Sequence, residues 1–393
     1  MTTSQRQRII YLDNSSTTRP LKTVTEAVCT TMREHYANPS SLHRLGMNAE
    51  KLLDECRKKT ARFLNAESSE IYFTSGATEA NNAIIRGIAE QYQNRGKHII
   101  TSEIEHPSVE NTCKHLQELG FSVSFLPVDK WGRVKPEKFS QCLNEDTILC
   151  SIMTVNNEIG SIQPLQQISE ILNEHPGPRP IFHTDAVQAI GKIDLMPSEV
   201  GVDALSLSAH KFHGPTGIGA MYLRKGLSFP PLLFGGGQEA GLRSGTENTA
   251  AAAGMSAALD WLVEENEQLR HKMMKMRRYL SEQIHYHLPA VRVNGPPADA
   301  KDDVQAPHIL NVSIPGLKGE ILVHALEQEG IYVSTGAACS SRHPTHNTTL
   351  KSLPISNERA ESAIRFSMSP FNEPDELDTA ACTLGEMVKN LKI

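Results

Sequence analysis

At five places in this 393-residue chain, residues with chemical capacity directly follow a short apolar run. "DALSLS" leads into Ala209, His210 and Lys211, after which Gly214-Pro215 breaks the chain. "PIFHT" ends on Asp185, with Gln188 three residues on. "HIITS" precedes Glu103, Glu105 and His106, and "TILCSIMTV" precedes Asn156, Asn157 and Glu158. "EIYFT" opens onto Ser75-Gly76-Ala77-Thr78-Glu79. Taken singly, each has an ordinary explanation: a histidine before proline is a turn, paired asparagines cap, Asp185 is an N-cap, and Thr78 caps a helix that binds nothing. All five lie where strands of a parallel sheet would end, and there they would face one crevice.

A lysine, an aspartate and a helix start rich in small residues form a recognisable set. Pyridoxal phosphate needs an amine to hold it as a Schiff base, which Lys211 offers. It needs a carboxylate to keep its pyridine nitrogen protonated, so that the ring acts as an electron sink; Asp185 suits that role. Its phosphate suits the N–H groups of a helix N-terminus beside Thr78, Ser208 and His210. Gln188 is placed for the phenolic oxygen and His106 for the ring face. A metal site at His210 and His213 lacks further ligands, and no metal is expected in the resting protein.

The elements that must position these residues are set by periodicity. Between residues 50 and 225, short apolar runs alternate with helical stretches such as "TEANNAIIRGIAEQY" (78–92), the signature of an α/β domain with a largely parallel sheet. A charged amphipathic run at 259–288 reads as a helix joining two domains. Beyond it come "HILNVSI", "KGEILVHALEQEG", "IYVS" and "AIRFSMS", then a closing helix: a smaller α+β unit. The expected division is 16–260 for a large domain, with 1–15 and 261–393 forming a small one.

Composition excludes several classes. Apolar residues make up 39% and charged residues 21%, with a net charge of −6 and no basic block, so neither nucleic acid nor an anionic membrane is an expected partner. No apolar run approaches the ~18 residues of a membrane span, and the first residues lack a signal-peptide core. Seven cysteines, at 29, 56, 113, 142, 150, 339 and 382, form no C-x-x-C pair. That scatter argues against disulfides or structural zinc and for a reducing, cytoplasmic setting.

Stretches in order along nearly the whole chain resemble the cysteine desulfurases of the class V aminotransferase group, fold-type I pyridoxal phosphate enzymes. They are "YLDNSSTT", "NPSSLHRLG", "FTSGATEANN", "EHPS", "VNNEIG", "HTDAVQAIGK", "SLSAHKFHGPTGIGAMYLR", "FGGGQEAGLRSGTEN", "STGAACSS" and "AIRFS". The resemblance implies a large domain built on a mainly parallel seven-stranded sheet flanked by helices, with a smaller α+β domain. It implies Lys211 as the Schiff-base lysine, Asp185 at the pyridine nitrogen and Gln188 at the phenolic oxygen. Ala77, Thr78, Ser208 and His210 would hold the phosphate, and Thr246 the phosphate of a neighbouring subunit, hence a homodimer. His106 would stack on the ring and move protons. Arg365 and Asn157 would grip the substrate carboxylate, Asn157 also touching the cofactor, with Asn38 nearby.

Cys339 separates this reading from a plain aminotransferase. Alone among the seven cysteines it lies in a Gly/Ser/Ala-rich stretch, with Arg342 and His343 close in sequence to favour thiolate. The implied reaction has Lys211 take the Cα proton of L-cysteine and Cys339 attack its sulfur, with His106 moving protons. Alanine leaves, and a persulfide stays on Cys339. The long stretch between Cys339 and Arg365 resembles the subgroup that supplies iron–sulfur scaffolds and thiolation partners, in which the persulfidated cysteine can act as a transient cluster ligand. Three stretches depart from the family: His213 and Thr216 replace an aromatic residue and a lysine, Pro354 replaces a common glycine, and "SMSPF" lacks a basic residue. Two other readings are a selenocysteine lyase and a non-catalytic dimeric platform.

Overall fold

The computed structural model describes residues 8–336 and 348–391. Twelve strands are found there: β1 (Ile10–Tyr11), β2 (Ile71–Thr74), β3 (His98–Ser102), β4 (Ser122–Leu126), β5 (Thr147–Ser151), β6 (Ile181–Asp185), β7 (Ala204–Ser208), β8 (Gly219–Leu223), β9 (Arg292–Asn294), β10 (Ile309–Ser313), β11 (Ile331–Tyr332) and β12 (Ala363–Ser367). Seven of them make one sheet in the order β2-β8-β7-β6-β5-β3-β4. Its pairs are parallel except those of β8, which runs antiparallel to both neighbours. Every residue of β5, β6, β7 and β8 is buried, as expected of strands covered on both faces by helices.

In this sheet β5 is shorter than the sequence reading, which marks no strand at β4 or β8. The apolar run "TILCSIMTV" is strand only to Ser151; beyond it the Ile152 and Thr154 N–H groups still bond the β6 carbonyls of His183 and Asp185 as the chain enters the site. The edge strand β4, "SVSFL", is half-exposed and polar at alternate positions, so it carries no continuous apolar signal.

A second, smaller assembly packs β12, β10 and β9 as an antiparallel sheet, with β1 paired in parallel to β11 beside it. Its core holds Ile10 and Leu12 from the chain start with Leu310, Phe366, Leu322 and Leu384. The helix Thr249–His287 joins the two cores, lending Leu259 and Leu262 to one and Met273, Leu280 and Ile284 to the other. It begins at Thr249, ahead of the amphipathic run, because the alanine-rich "TAAAAGMSAA" has high helix propensity and is small enough to pack closely. No helix among the described residues is long and apolar enough to cross a membrane.

The antiparallel strand β8 closes tightly on the turn after β2. A Cβ added at Gly219 would lie 2.4 Å from the Leu207 carbonyl oxygen and 2.7 Å from Gly76 Cα. Both obstacles are backbone, so neither can swing aside. Gly219→Ala is expected to destabilise the fold by about 1–3 kcal/mol, read as a lower denaturant midpoint at unchanged slope.

Candidate active site

The carboxyl ends of β2, β3, β5, β6 and β7 converge on a cavity of about 370 Å³, and Gly336 and Arg365 of the smaller assembly close its far wall. At its base, β2 turns at Gly76, whose φ of +153° lies at the edge of the region glycine tolerates best, into the helix Ala77–Tyr92. That helix start has no side-chain cap, and Ala77 and Thr78, which carry its first N–H groups, line the cavity. A Cβ on Gly76 would sit 3.6 Å from Ser208 Oγ, so the end of β7 overhangs the same turn. Free helix N–H groups beside a serine hydroxyl and His210 are a fit for a phosphate.

Asp185 ends β6 and is buried. Its Oδ1 accepts from the Val187 N–H at 3.0 Å and its Oδ2 from Asn81 Nδ2 at 2.8 Å. Asn81 is a site residue that sequence reasoning misses. It sits just past the first turn of the Ala77–Tyr92 helix, fully buried, and also donates to Ser108 Oγ at 2.9 Å. An asparagine on the buried face of a helix is the signal that could have found it, since such a residue must find partners.

His106 caps the helix Pro107–Glu118, accepting from the Ser108 N–H at 3.1 Å through Nδ1, and the Ser108 hydroxyl lies 2.8 Å from the same nitrogen. Because Nδ1 accepts, the ring proton belongs on Nε2. Burial lowers its pKa, Asp185 opposing and Lys211 assisting, so His106 is held toward the neutral form. Gln188 is buried, donating from Nε2 to Ser15 O at 3.0 Å while its Oε1 faces His308 Nε2 at 3.1 Å.

Lys211 follows β7 in a single 3₁₀ turn, Ala209–Lys211, and its amine donates to the carbonyls of Ser15 and Ser16, both at 2.7 Å. Behind it, the buried Lys192 donates to the Lys211 carbonyl. Burial first, and Lys211 second, bring the Lys192 pKa down to about 7. His210 bonds Thr17 Oγ1 at 3.1 Å, and burial with the nearby lysines pushes its pKa down to about 4.

Arg365 lies on β12 at 2% exposure. Nη1 donates to Asn157 O at 2.8 Å and Gly336 O at 3.2 Å, Nη2 to Asp13 Oδ1 at 2.7 Å and Ser16 Oγ at 2.8 Å. Nε has no acceptor among the described residues. Next to Asn157, the buried Glu158 also lines the cavity, and burial raises its pKa to about 7 against the pull of Arg365. Glu105, buried and bonded to Ser102 and the Met153 N–H, is pushed up to about 8.

The structure thus brings Ala77, Thr78, His106, Asn157, Asp185, Gln188, Ser208, His210, Lys211 and Arg365 to one cavity. It does not bring Asn38 or Thr246 there; both are exposed, and neither lines it. Cys339, with Arg342 and His343, lies outside the described residues. Gly336, three positions before Cys339, is in the cavity wall. No cysteine among the described residues lines the cavity, and burial raises the thiol pKa of Cys56 to about 11 and of Cys113 to about 12.

Of the two departures in "HKFHGPTG", Thr216 lines the cavity, while His213 packs edge-on against Trp261 and Phe371, filling an aromatic position with an aromatic ring. No cluster of metal-ligating side chains occurs among the described residues. An amine, a carboxylate, an uncapped helix start and a guanidinium with an unmet N–H, each placed at a different point of one cavity, match the groups pyridoxal phosphate and an amino-acid carboxylate call for.

Comparison with known proteins agrees with this geometry. The aminotransferase class-V family model matches residues 10–379. A cysteine desulfurase IscS of Dictyoglomus turgidum is 40% identical over 388 residues, covering 98% of this chain and 96% of that protein. A NifS/IcsS protein homolog of Lactobacillus delbrueckii subsp. bulgaricus is 44% identical over 383 residues, 97% of this chain and 98% of that one. Among solved structures, a NifS-like protein superposes with a TM-score of 0.91 at 37% identity, over 98% of this chain and 100% of that one. The chain belongs to the aminotransferase class-V family.

Proposed function

We propose that this protein is a pyridoxal phosphate-dependent cysteine desulfurase, converting L-cysteine to L-alanine and delivering sulfur as a persulfide on Cys339. The observation that carries the reading is a single cavity holding Lys211, Asp185 and the uncapped helix start on one side and Arg365 on the other, with Gly336, three residues before Cys339 in sequence, in its wall. When bound, pyridoxal phosphate supplies an electron sink that makes the Cα proton of an amino acid removable. Lys211 holds the cofactor, Asp185 its pyridine nitrogen, Gln188 its phenolic oxygen, and Ala77, Thr78, Ser208 and His210 its phosphate.

The remaining steps belong to this chain's side chains. Arg365 holds the substrate carboxylate, and Asn157 lies beside it. The Lys211 amine takes the Cα proton. Cys339 Sγ, as thiolate, attacks the substrate sulfur: the S–S bond forms, the Cβ–S bond breaks with its electron pair left on carbon, Cβ collects the proton given up by the Cys339 thiol to become the methyl of alanine, and Lys211 returns its proton to Cα. His106, with its proton on Nε2 and its ring fixed by Ser108, itself held by Asn81, moves protons at the substrate. Asn81 is a positioning residue that fixes both Asp185 and, through Ser108, His106.

Thr246 on an exposed loop suits a role in a partner subunit, and we read the working form as a homodimer. The sulfur would pass to an iron–sulfur scaffold or a thiolation protein in a reducing, cytoplasmic setting.

Wild-type protein given L-cysteine and reductant is expected to release sulfide and alanine in equal amounts. Cys339→Ala should keep the yellow cofactor colour and lose both products by at least about a hundredfold. A coloured wild-type protein inactive on cysteine would sink the reading and direct the assay to selenocysteine. The dimer has its own check. Mixed dimers of Lys211→Ala and Thr246→Ala chains should retain one site of wild-type cofactor affinity, because the intact Lys211 pairs with the intact Thr246 of the other subunit. Weakened affinity in that mixed dimer would place Thr246 at its own subunit's cofactor.

A further inference from the structure

We infer that the Ser16 hydroxyl occupies the position on Arg365 that one oxygen of the substrate carboxylate takes, so that substrate binding displaces it. The inference rests on Arg365 being the carboxylate anchor. A guanidinium binds a carboxylate best with two parallel N–H groups, and on its side-on edge these are Nε–H and one N–H of Nη2. Here Nε is buried without an acceptor among the described residues, whereas Nη2 is engaged by Asp13 Oδ1 at 2.7 Å and Ser16 Oγ at 2.8 Å. The opposite nitrogen, Nη1, is committed to the backbone carbonyls of Asn157 and Gly336. A two-pronged grip therefore uses Nε and takes Nη2 from one of its two acceptors.

The two acceptors are unequal. Asp13 is a charged partner of a guanidinium that is only 2% exposed, and removing it would leave a buried cation unbalanced. Ser16 contributes a neutral hydroxyl, which also donates to Asp13 Oδ1 at 2.8 Å and so keeps a partner if it turns away. The hydroxyl is the group that yields. Ser16 also meets the catalytic machinery from its other side, its carbonyl accepting from Lys211 Nζ at 2.7 Å.

The test is calorimetric titration of the holoenzyme with 3-mercaptopropionate, which has the carboxylate and thiol of the substrate but no amine, beside 2-mercaptoethanol, which has no carboxylate. Ser16→Ala leaves an Nη2–H unmet until a carboxylate arrives, so it is expected to bind 3-mercaptopropionate about three- to tenfold more tightly, with 2-mercaptoethanol unchanged. Ser16→Thr, which retains the hydroxyl, should match the wild type, and KM for L-cysteine should fall in Ser16→Ala by the same factor. Unchanged or weaker binding by Ser16→Ala, with Arg365→Lys losing affinity, overturns the displacement while leaving Arg365 as the anchor. If Arg365→Lys binds 3-mercaptopropionate as the wild type does, the anchor assignment falls and the displacement with it.

Discussion

A guanidinium buried at 2% exposure needs an anion and a set of acceptors, and satisfying Arg365 dictates the path of the chain's first described residues. Asp13 must reach β12, so the segment after β1 is drawn across the face between the two cores. Ser367 Oγ receives the Ser15 N–H at 2.9 Å, Asn14 donates to the Ser367 carbonyl at 2.9 Å, and Ser367 N–H in turn bonds Leu12. Having been brought there, the segment's carbonyls at 15 and 16 are in place for Lys211 and Gln188. Thr18 then bonds His210 O and accepts from the His213 N–H. One ion pair thus ties the strand bearing the arginine to the turn bearing the lysine.

The opposite wall is organised by the sheet. Parallel strands deliver their carboxyl ends to one edge, and β6 beside β7 in the register Asp185↔Ser206 sets the aspartate one strand away from the lysine turn. Side chains then cross-link neighbouring strand ends: Asn156 bonds Ile104 O and caps the Glu158 and Ile159 N–H groups, and Glu105 receives the Met153 N–H. These bonds convert loops into fixed ledges, which a site working to within fractions of an ångström requires. The antiparallel β8 completes the arrangement by pressing on Gly76, where any side chain at Gly219 would collide.

How much of this could be read from residues alone divides along physical lines. Strand ends are local in sequence, so Ser75–Thr78, His106, Asn157, Asp185, Gln188 and Ser208–Lys211 could be identified by their place just past an apolar run. Contacts made across the fold could not. Ser16 meets Arg365 at a separation of 349 residues, and nothing in "NSST" announces that its hydroxyl faces a guanidinium rather than solvent. Asn81 was hidden by its helix, whose polar positions normally face water. The edge strand β4 lacked a continuous apolar run because one of its faces is wet. Asn38 and Thr246 carry family motifs but are exposed in the single chain, and nothing in its own packing marks either as a site residue.

The chemistry of the cavity depends as much on the charges it suppresses as on those it keeps. His183, two residues before Asp185, is sandwiched between Ser151 and Ser206, and burial takes its pKa to about 3. His308 behind Gln188 is likewise held well below its ordinary value by burial and by Lys192, Arg365 and Arg277. Glu105 is raised by burial and by Asp185, which favours its neutral acid. Histidines and a glutamic acid biased toward neutrality offer hydrogen bonds without competing charge. In such surroundings the field of Asp185 and of the Asp13–Arg365 pair is poorly screened and reaches bound ligands at greater strength than water would allow. Replacing any of these neutral groups by a permanent charge would therefore perturb the site more than deleting its hydrogen bond.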